Sequence, residues 1–267
     1  MDNKDHATTL RPGGIRDQVT LPIRLLRWWL DPRGRRSRRR LATMRGSHAG
    51  ERCFILGNGP SLQKMDLGRL KDETTFSLNR GYLLFDRLGY ACTYHVAVNP
   101  LVVEQWADEI VRLPSIKFMT WTRRHGVPRR ADVIFIGGPS NEVGPRFSLD
   151  VARDIWPGAT VTYVALQLAY YMGFTQVILI GVDHRFRTAG KPHQEVVSDG
   201  DDVDHFDPSY FGKGARWALP DLQTSELAYM LARHYYSVDG RQIIDATMGG
   251  ALQVFPKQPF ESFFPGR

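Results

Sequence analysis

Seven short apolar runs, separated by polar and helix-compatible stretches, set the tightest limit on what this chain can fold into. They are Cys53–Leu56, Thr74–Leu78, Thr93–Val98, Ile116–Trp121, Val133–Ile136, Gln176–Ile180 and Arg241–Asp245. Each has the length and composition of a buried strand. Most stop at Asn or Gly: Gly57-Asn58-Gly59, Asn79-Arg80-Gly81, Asn99-Pro100, Gly137-Gly138 and Gly181, with Thr247-Met248-Gly249-Gly250 after the last. Strands alternating with helices predict an α/β fold, a Rossmann-like and mostly parallel sheet with helices on both faces. Ligands of such sheets lie beyond the carboxyl ends of the strands. The Asn- and Gly-rich tips should therefore gather along one edge. An Asn there also has a purely structural use, since it tolerates left-handed backbone and bonds its own turn.

The first tip is the richest. After Cys53–Leu56 come Gly57-Asn58-Gly59, then Pro60 at a favoured first helical position, then Ser61. Strand, glycine turn and helix N-terminus make an anion site, because glycines let a phosphate approach and the first N–H groups point at it. The same residues also describe an ordinary tight turn. Further on, Val161–Met172 is apolar nearly all round and should be central, with Thr160 or Thr162 as its N-cap. The strand Gln176–Ile180 ends at Gly181-Val182-Asp183-His184. Asp183 is suited to a ribose hydroxyl, a metal, an amine or a turn cap. Between Phe186 and Pro220 runs a long polar loop with Asp199, Asp201, Asp202, Asp204 and His205. Its aromatic residues Phe206, Tyr210, Phe211 and Trp217 favour an ordered lid.

Charge is unevenly spread. The net charge is +7 over 267 residues, but residues 1–50 hold 12 Lys and Arg against 4 Asp and Glu, leaving 23 basic and 24 acidic groups elsewhere. The basic excess therefore belongs to an N-terminal arm and says nothing about substrate. The division this suggests is a basic, partly disordered arm over 1–48 and a nucleotide-binding α/β domain over 49–267. Within the arm, Leu21, Leu25 and Trp28 or Trp29 recur near i, i+4, i+7, followed by Arg33, Arg35, Arg36, Arg38, Arg39, Arg40 and Arg45. This stretch is too short and charged to span a bilayer, and no signal-peptide pattern precedes it. Residues 21–45 suit the interface of an anionic membrane, which would make the protein peripheral on the inner, cytoplasmic face. A solvated tail, or a helix packed on its own domain, would have the same composition. Nucleic acid is not expected, because no binding motif or aromatic interleaving accompanies the arginines. Cys53 and Cys92 sit in apolar runs, as reduced thiols of a cytoplasmic protein do, and no CxxC or HExxH spacing occurs.

Gly57-Asn58-Gly59-Pro60-Ser61-Leu62, Leu78-Asn79, and the Thr160 helix running into Leu179-Ile180-Gly181-Val182-Asp183 together resemble a known domain. It is shared by the bacterial sialyltransferases of glycosyltransferase family 42, the motility-associated flagellin glycosyltransferases and the MptE-like (6-hydroxymethylpterin diphosphokinase-like) superfamily. The resemblance covers about residues 50–256. The sialyltransferase resemblance implies a GT-A-type variant of the Rossmann-like domain. It implies transfer of a nonulosonic acid from a CMP-linked donor to a glycan or lipid-linked acceptor, with no cofactor required. Gly57, Asn58, Gly59, Pro60, Ser61 and Asn79 would hold the nucleotide, joined by Gly181 and Asp183, with the Thr160 helix end facing the departing phosphate.

The family base is a His in a Tyr-x-Gly-His stretch, and here that stretch reads Tyr210-Phe211-Gly212-Lys213. A Lys accepts a proton near neutral pH only when burial lowers its pKa. His205, a few residues upstream, is the natural substitute, since imidazole as a class is suited to general-base chemistry. His205, Lys213 and Tyr210 are thus the catalytic candidates. The tyrosines that support the leaving phosphate in the family have no secure match at 155–158, although Tyr163 is a candidate for that role. The diphosphokinase resemblance implies instead pyrophosphate transfer from ATP to a pterin alcohol with Mg²⁺, held by Asp183 with Asp201 or Asp202. With the family His replaced, a nucleotide-binding protein without catalysis is a third reading.

Overall fold

In the computed structural model, which describes residues 26–137, 146–188 and 190–265, the apolar runs form one parallel sheet. Its strands are β1 (Arg52–Leu56), β2 (Thr75–Leu78), β3 (Tyr94–Ala97), β4 (Ile116–Thr120), β5 (Val133–Ile136), β6 (Gln176–Ile180) and β9 (Gln242–Asp245). They lie in the order β5-β4-β3-β2-β1-β6-β9, every neighbouring pair parallel. From β1 the chain lays down β2 to β5 on one side, then returns to add β6 and β9 on the other. The topological switch point therefore falls between β1 and β6, where such sheets bind ligands.

Helices cover both faces, which is why the strands read as continuous apolar runs rather than alternating ones. One face carries α4 (Val161–Met172) and α5 (Leu222–Val238). Every residue of α4 from Thr162 onward is buried, as its lack of a polar face requires. The other face carries the short α2 (Phe85–Leu88), α3 (Pro100–Ile110), the lid aromatics and Phe260, Phe263 and Phe264.

Three local expectations change. The helix expected to start at Pro60 is two 3₁₀ turns, Pro60–Lys64 and Leu67–Leu70, because Met65 takes extended backbone between them. The lid is not a bare loop, since β7 (Glu195–Val197) and β8 (Arg216–Ala218) pair antiparallel within it. The arm boundary also moves. Helix α1 (Pro32–Met44) lies against β5 and buries Gly34, Ser37, Leu41 and Met44, a stripe concealed in sequence by the arginines between. Ser37 Oγ accepts the Phe135 N–H at 3.0 Å, and Trp28 is fully buried edge-on to Trp121 at 4.8 Å. The packed domain thus reaches back to Trp28 instead of starting at residue 49. Leu21, Leu25 and Gly138 lie outside the described residues. Among those described, no helix is long and apolar enough to cross a membrane.

One core residue makes stability depend on pH. His95 on β3 is fully buried, its Nδ1 2.8 Å from Ser77 Oγ. Burial, offset in part by the Asn79 backbone and reinforced by Lys117, lowers its pKa from 6.5 to about 3. The unfolded chain takes up this proton first, so the contribution is complete above the unfolded pKa and is lost as pH falls. The expected slope is at most about 1.4 kcal/mol per pH unit. Urea unfolding at about pH 7 and about pH 5 should show the loss, and His95→Phe should flatten it. Equal slopes in the two proteins would rule His95 out as the cause.

Candidate functional site at the switch point

The turns after β1 and β6 are bonded to one another. Gly57 and Gly59 donate their N–H groups to the Ile180 and Gly181 carbonyls at 2.7 and 2.8 Å. A Cβ on Gly57 would stand 2.2 Å from the Gly181 oxygen, and one on Gly59 would stand 1.9 Å from Asp183 Oδ2. Gly181, at φ +67, would bring its own Cβ to 2.5 Å from Leu62. Both glycine motifs therefore bring two protein turns together. Asp183 then reaches across, accepting the Ser61 N–H at 3.2 Å and the Ser61 hydroxyl at 2.6 Å. The expectation that this turn cradles a phosphate is corrected. The helix N-terminus already faces an anion, the carboxylate of Asp183, and Pro60 has no N–H to add.

What the corner leaves open is acceptors. Asn58 and Asn79 each bury a side-chain oxygen that no described residue satisfies. Asn79 is left-handed at φ +49, and Asn58 Oδ1 lies 3.0 Å from where a Gly81 Cβ would be, so the tips of β1 and β2 meet. Asn99 has the structural use instead, taking the Leu101 N–H at 2.9 Å and capping α3. A buried acceptor without a donor costs about 1–3 kcal/mol, which a ligand hydroxyl or amine would relieve.

The lid folds down on this corner. Phe206 donates its N–H to the Asn58 carbonyl at 2.8 Å, and the Gln63 amide bonds the Phe206 carbonyl. Arg80, buried next to Asn79, donates to the Ser209 carbonyl at 2.6 Å and to the Tyr210 carbonyl, and stacks 4.2 Å over Trp106. No carboxylate among the described residues pairs with its guanidinium directly. The Tyr82 hydroxyl stands between, 3.4 Å from Arg80 Nε and 2.5 Å from Glu109. Sequence reasoning passed over Arg80; the available signal was a charged residue set directly after a strand tip.

Within the lid, His205 Nδ1 meets Asp202 Oδ2 at 2.8 Å, and its ring lies on Tyr210 at 4.0 Å with a 7° interplanar angle. Asp202 also accepts the N–H groups of Asp204, His205 and Phe211. Burial works to raise its pKa, but the His205 contact and the backbone donors prevail and hold the carboxyl below the usual range. An ionised Asp202 keeps the proton on Nδ1 and leaves Nε2 as the basic nitrogen. Tyr210 is buried, which pushes its hydroxyl well above the ordinary phenol range, so it supports the ring as a neutral group. Lys213 is exposed between Gly212 and Gly214, without the burial that a lysine base needs.

At the start of α4, Thr160 caps the helix by accepting the Thr162 N–H at 3.3 Å, and lies 3.4 Å from the Tyr229 hydroxyl. His184, left-handed at φ +52, pairs with Glu226 at 3.0 Å and turns its edge to Tyr229. Sequence reasoning did not single it out. Tyr163 cannot support a leaving phosphate, because it is buried and its hydroxyl donates to the Arg146 carbonyl at 2.7 Å. Among the described residues, no three His, Cys, Asp or Glu side chains gather to hold a metal ion. Asp183 faces Ser61, Asp202 faces His205 and Asp201 is exposed, so these three do not assemble into a Mg²⁺ ligand set.

No protein-family model matches this sequence, and no curated protein matches it. Among solved structures, the chain is similar to a MAf glycosyltransferase from Magnetospirillum magneticum AMB-1, with a TM-score of 0.51 and 16% identity over 86% of this chain. It spans 38% of that protein's length. At such identity the likeness is one of fold, a Rossmann-like parallel α/β sheet with helices around it.

Proposed function

We propose that this chain is a glycosyltransferase that moves a nonulosonic acid from a CMP-linked donor to a hydroxyl of a glycan or lipid-linked acceptor. The observation that carries the proposal is the His205–Asp202 pair at 2.8 Å, on a lid bonded to Asn58 above the switch point. An imidazole oriented by a carboxylate is the usual form of a general base. The motif resemblance and the fold likeness to a glycosyltransferase support the transfer class.

Nucleoside hydroxyls and the base amine donate to Asn58 and Asn79, over a floor made by Gly57, Gly59, Pro60, Ser61, Gly181 and Asp183. The phosphate lies outward, where the N-terminal end of α4 at Thr160 stabilises the charge that develops as it departs. The acceptor oxygen bonds the anomeric carbon while the bond from that carbon to the CMP phosphate oxygen breaks. His205 Nε2 takes the acceptor proton. Arg80 holds the lid closed throughout.

The test is thermal stability with nucleotides. CMP at a hundred times its Kd should stabilise by about 2.7 kcal/mol, a rise of roughly 5 °C or more for a chain of this size. Asn58→Ala and Asn79→Ala should each reduce that rise. Stabilisation by ATP with Mg²⁺ alone would turn the assignment to pyrophosphate transfer onto a pterin alcohol. CMP binding without turnover of any CMP-linked sugar would leave a nucleotide-binding protein without catalysis.

A further inference from the structure

We infer that the outward side of the N-terminal helical segment docks on an anionic phospholipid surface. Leu26, Trp29 and Leu30 enter the headgroup layer, and Arg35, Arg36 and Arg39 meet the lipid phosphates. The sequence alone treats all the arginines and both tryptophans of this segment alike. The structure separates them into two sets.

The inward set is engaged by the protein. Trp28 is buried on Trp121, Arg33 bonds the Arg124 and Val127 carbonyls, Arg38 the Trp28 and Trp29 carbonyls, and Arg40 the Ala131 carbonyl. The one acidic residue, Asp31, is turned to the Arg33 N–H and to Arg124. The outward set is engaged less: the Arg38 guanidinium lies 4.1 Å over the Trp29 ring, which stays exposed. Leu26, Trp29 and Leu30 are 57%, 47% and 62% exposed within five residues of one another, where single exposed apolar residues are the norm. Arg35, Arg36 and Arg39 are exposed on α1 and line a shallow groove with Pro32, Thr43 and the half-buried Arg40. No carboxylate among the described residues pairs with any of the three.

Charge complementarity chooses the occupant. Residues 26–45 hold eight Arg and one Asp. A polyanion alone would answer the arginines and leave the Leu and Trp side chains in water. An anionic bilayer answers both, with tryptophan at the headgroup level and arginine on the phosphates. This inference does not depend on what binds at the switch point, and its assay contains no nucleotide, so the two can fail separately.

The full chain should be mixed with vesicles of phosphatidylcholine alone, or of phosphatidylcholine with phosphatidylglycerol, and floated. Binding to the mixed vesicles only, weakening as salt rises, is the expected result. Each arginine near the surface contributes about fivefold, so the triple variant Arg35→Glu, Arg36→Glu, Arg39→Glu should lose about a hundredfold or more in partitioning. Leu26→Ser with Leu30→Ser should lose about tenfold or more, with the melting temperature of both variants kept near the parent's because the side chains are exposed. Equal partitioning into both vesicle types, or undiminished binding by the triple variant, would overturn the inference. So would duplex DNA competing the protein off vesicles while the Leu26 and Leu30 substitutions change nothing, or a solution dimer that buries this face.

Discussion

Exchanging His205 for glutamine should lower turnover by roughly 10²–10⁴-fold, the range expected for losing a general base. The residue is held from three sides: Asp202 fixes Nδ1, Tyr210 lies flat beneath the ring, and Phe211 abuts its edge. Glutamine keeps the size and the hydrogen-bonding end but has no basic nitrogen. Asp202→Asn should lose about 10²-fold or more, because an amide donating to Nδ1 puts the ring proton on Nε2, the wrong side for a base. Neither residue is assigned to the nucleotide, so the CMP-induced rise in melting temperature should persist in both variants while CMP release from a CMP-linked sugar falls. Full activity of His205→Gln together with its loss in Lys213→Met would transfer the role to Lys213.

Gly57→Ala should destabilise the fold by roughly 3–5 kcal/mol, combining overpacking with a broken buried backbone hydrogen bond. The added methyl meets the Gly181 carbonyl at 2.2 Å, and a backbone atom cannot swing aside. β1 and β6 would have to part, and the Gly57 N–H would lose the Ile180 carbonyl. Set against a typical total of about 5–15 kcal/mol, this is a large share. Gly249 offers the contrast: it is left-handed at φ +67 with nothing within 4 Å of an added Cβ. Gly249→Ala should therefore cost only about 1–2 kcal/mol of backbone strain. Chemical denaturation of the two variants separates the effects. A Gly57→Ala protein as stable as the parent would mean that the two turns do not depend on their close approach.

The sheet was legible because strands covered on both faces carry no polar alternation, and most of these ended on a residue that turns the chain. What the sequence did not disclose was the other half of each contact. Gly57 and Gly59 promised a close approach, and only the fold shows that Gly181 and Asp183 are what approach. Asn58, Asn79 and Asn99 occupy equivalent strand tips, yet Asn99 is followed by a helix that needs its cap, and Pro100 at the first helical position was the cue. The stripe of α1 was hidden because Gly34 and Ser37 are not apolar, although both are buried. Arg80 escaped notice because its partners are backbone carbonyls more than a hundred residues away, which no local pattern announces.

Asp183 at the first helical turn reverses the electrostatic polarity familiar from dinucleotide-binding sheets. There the glycine corner draws in anions; here its donors already hold one. On the reading proposed above, a nucleotide would meet this corner sugar end first and charged end last. That ordering would set the scissile bond at the rim of the sheet, within reach of a large acceptor.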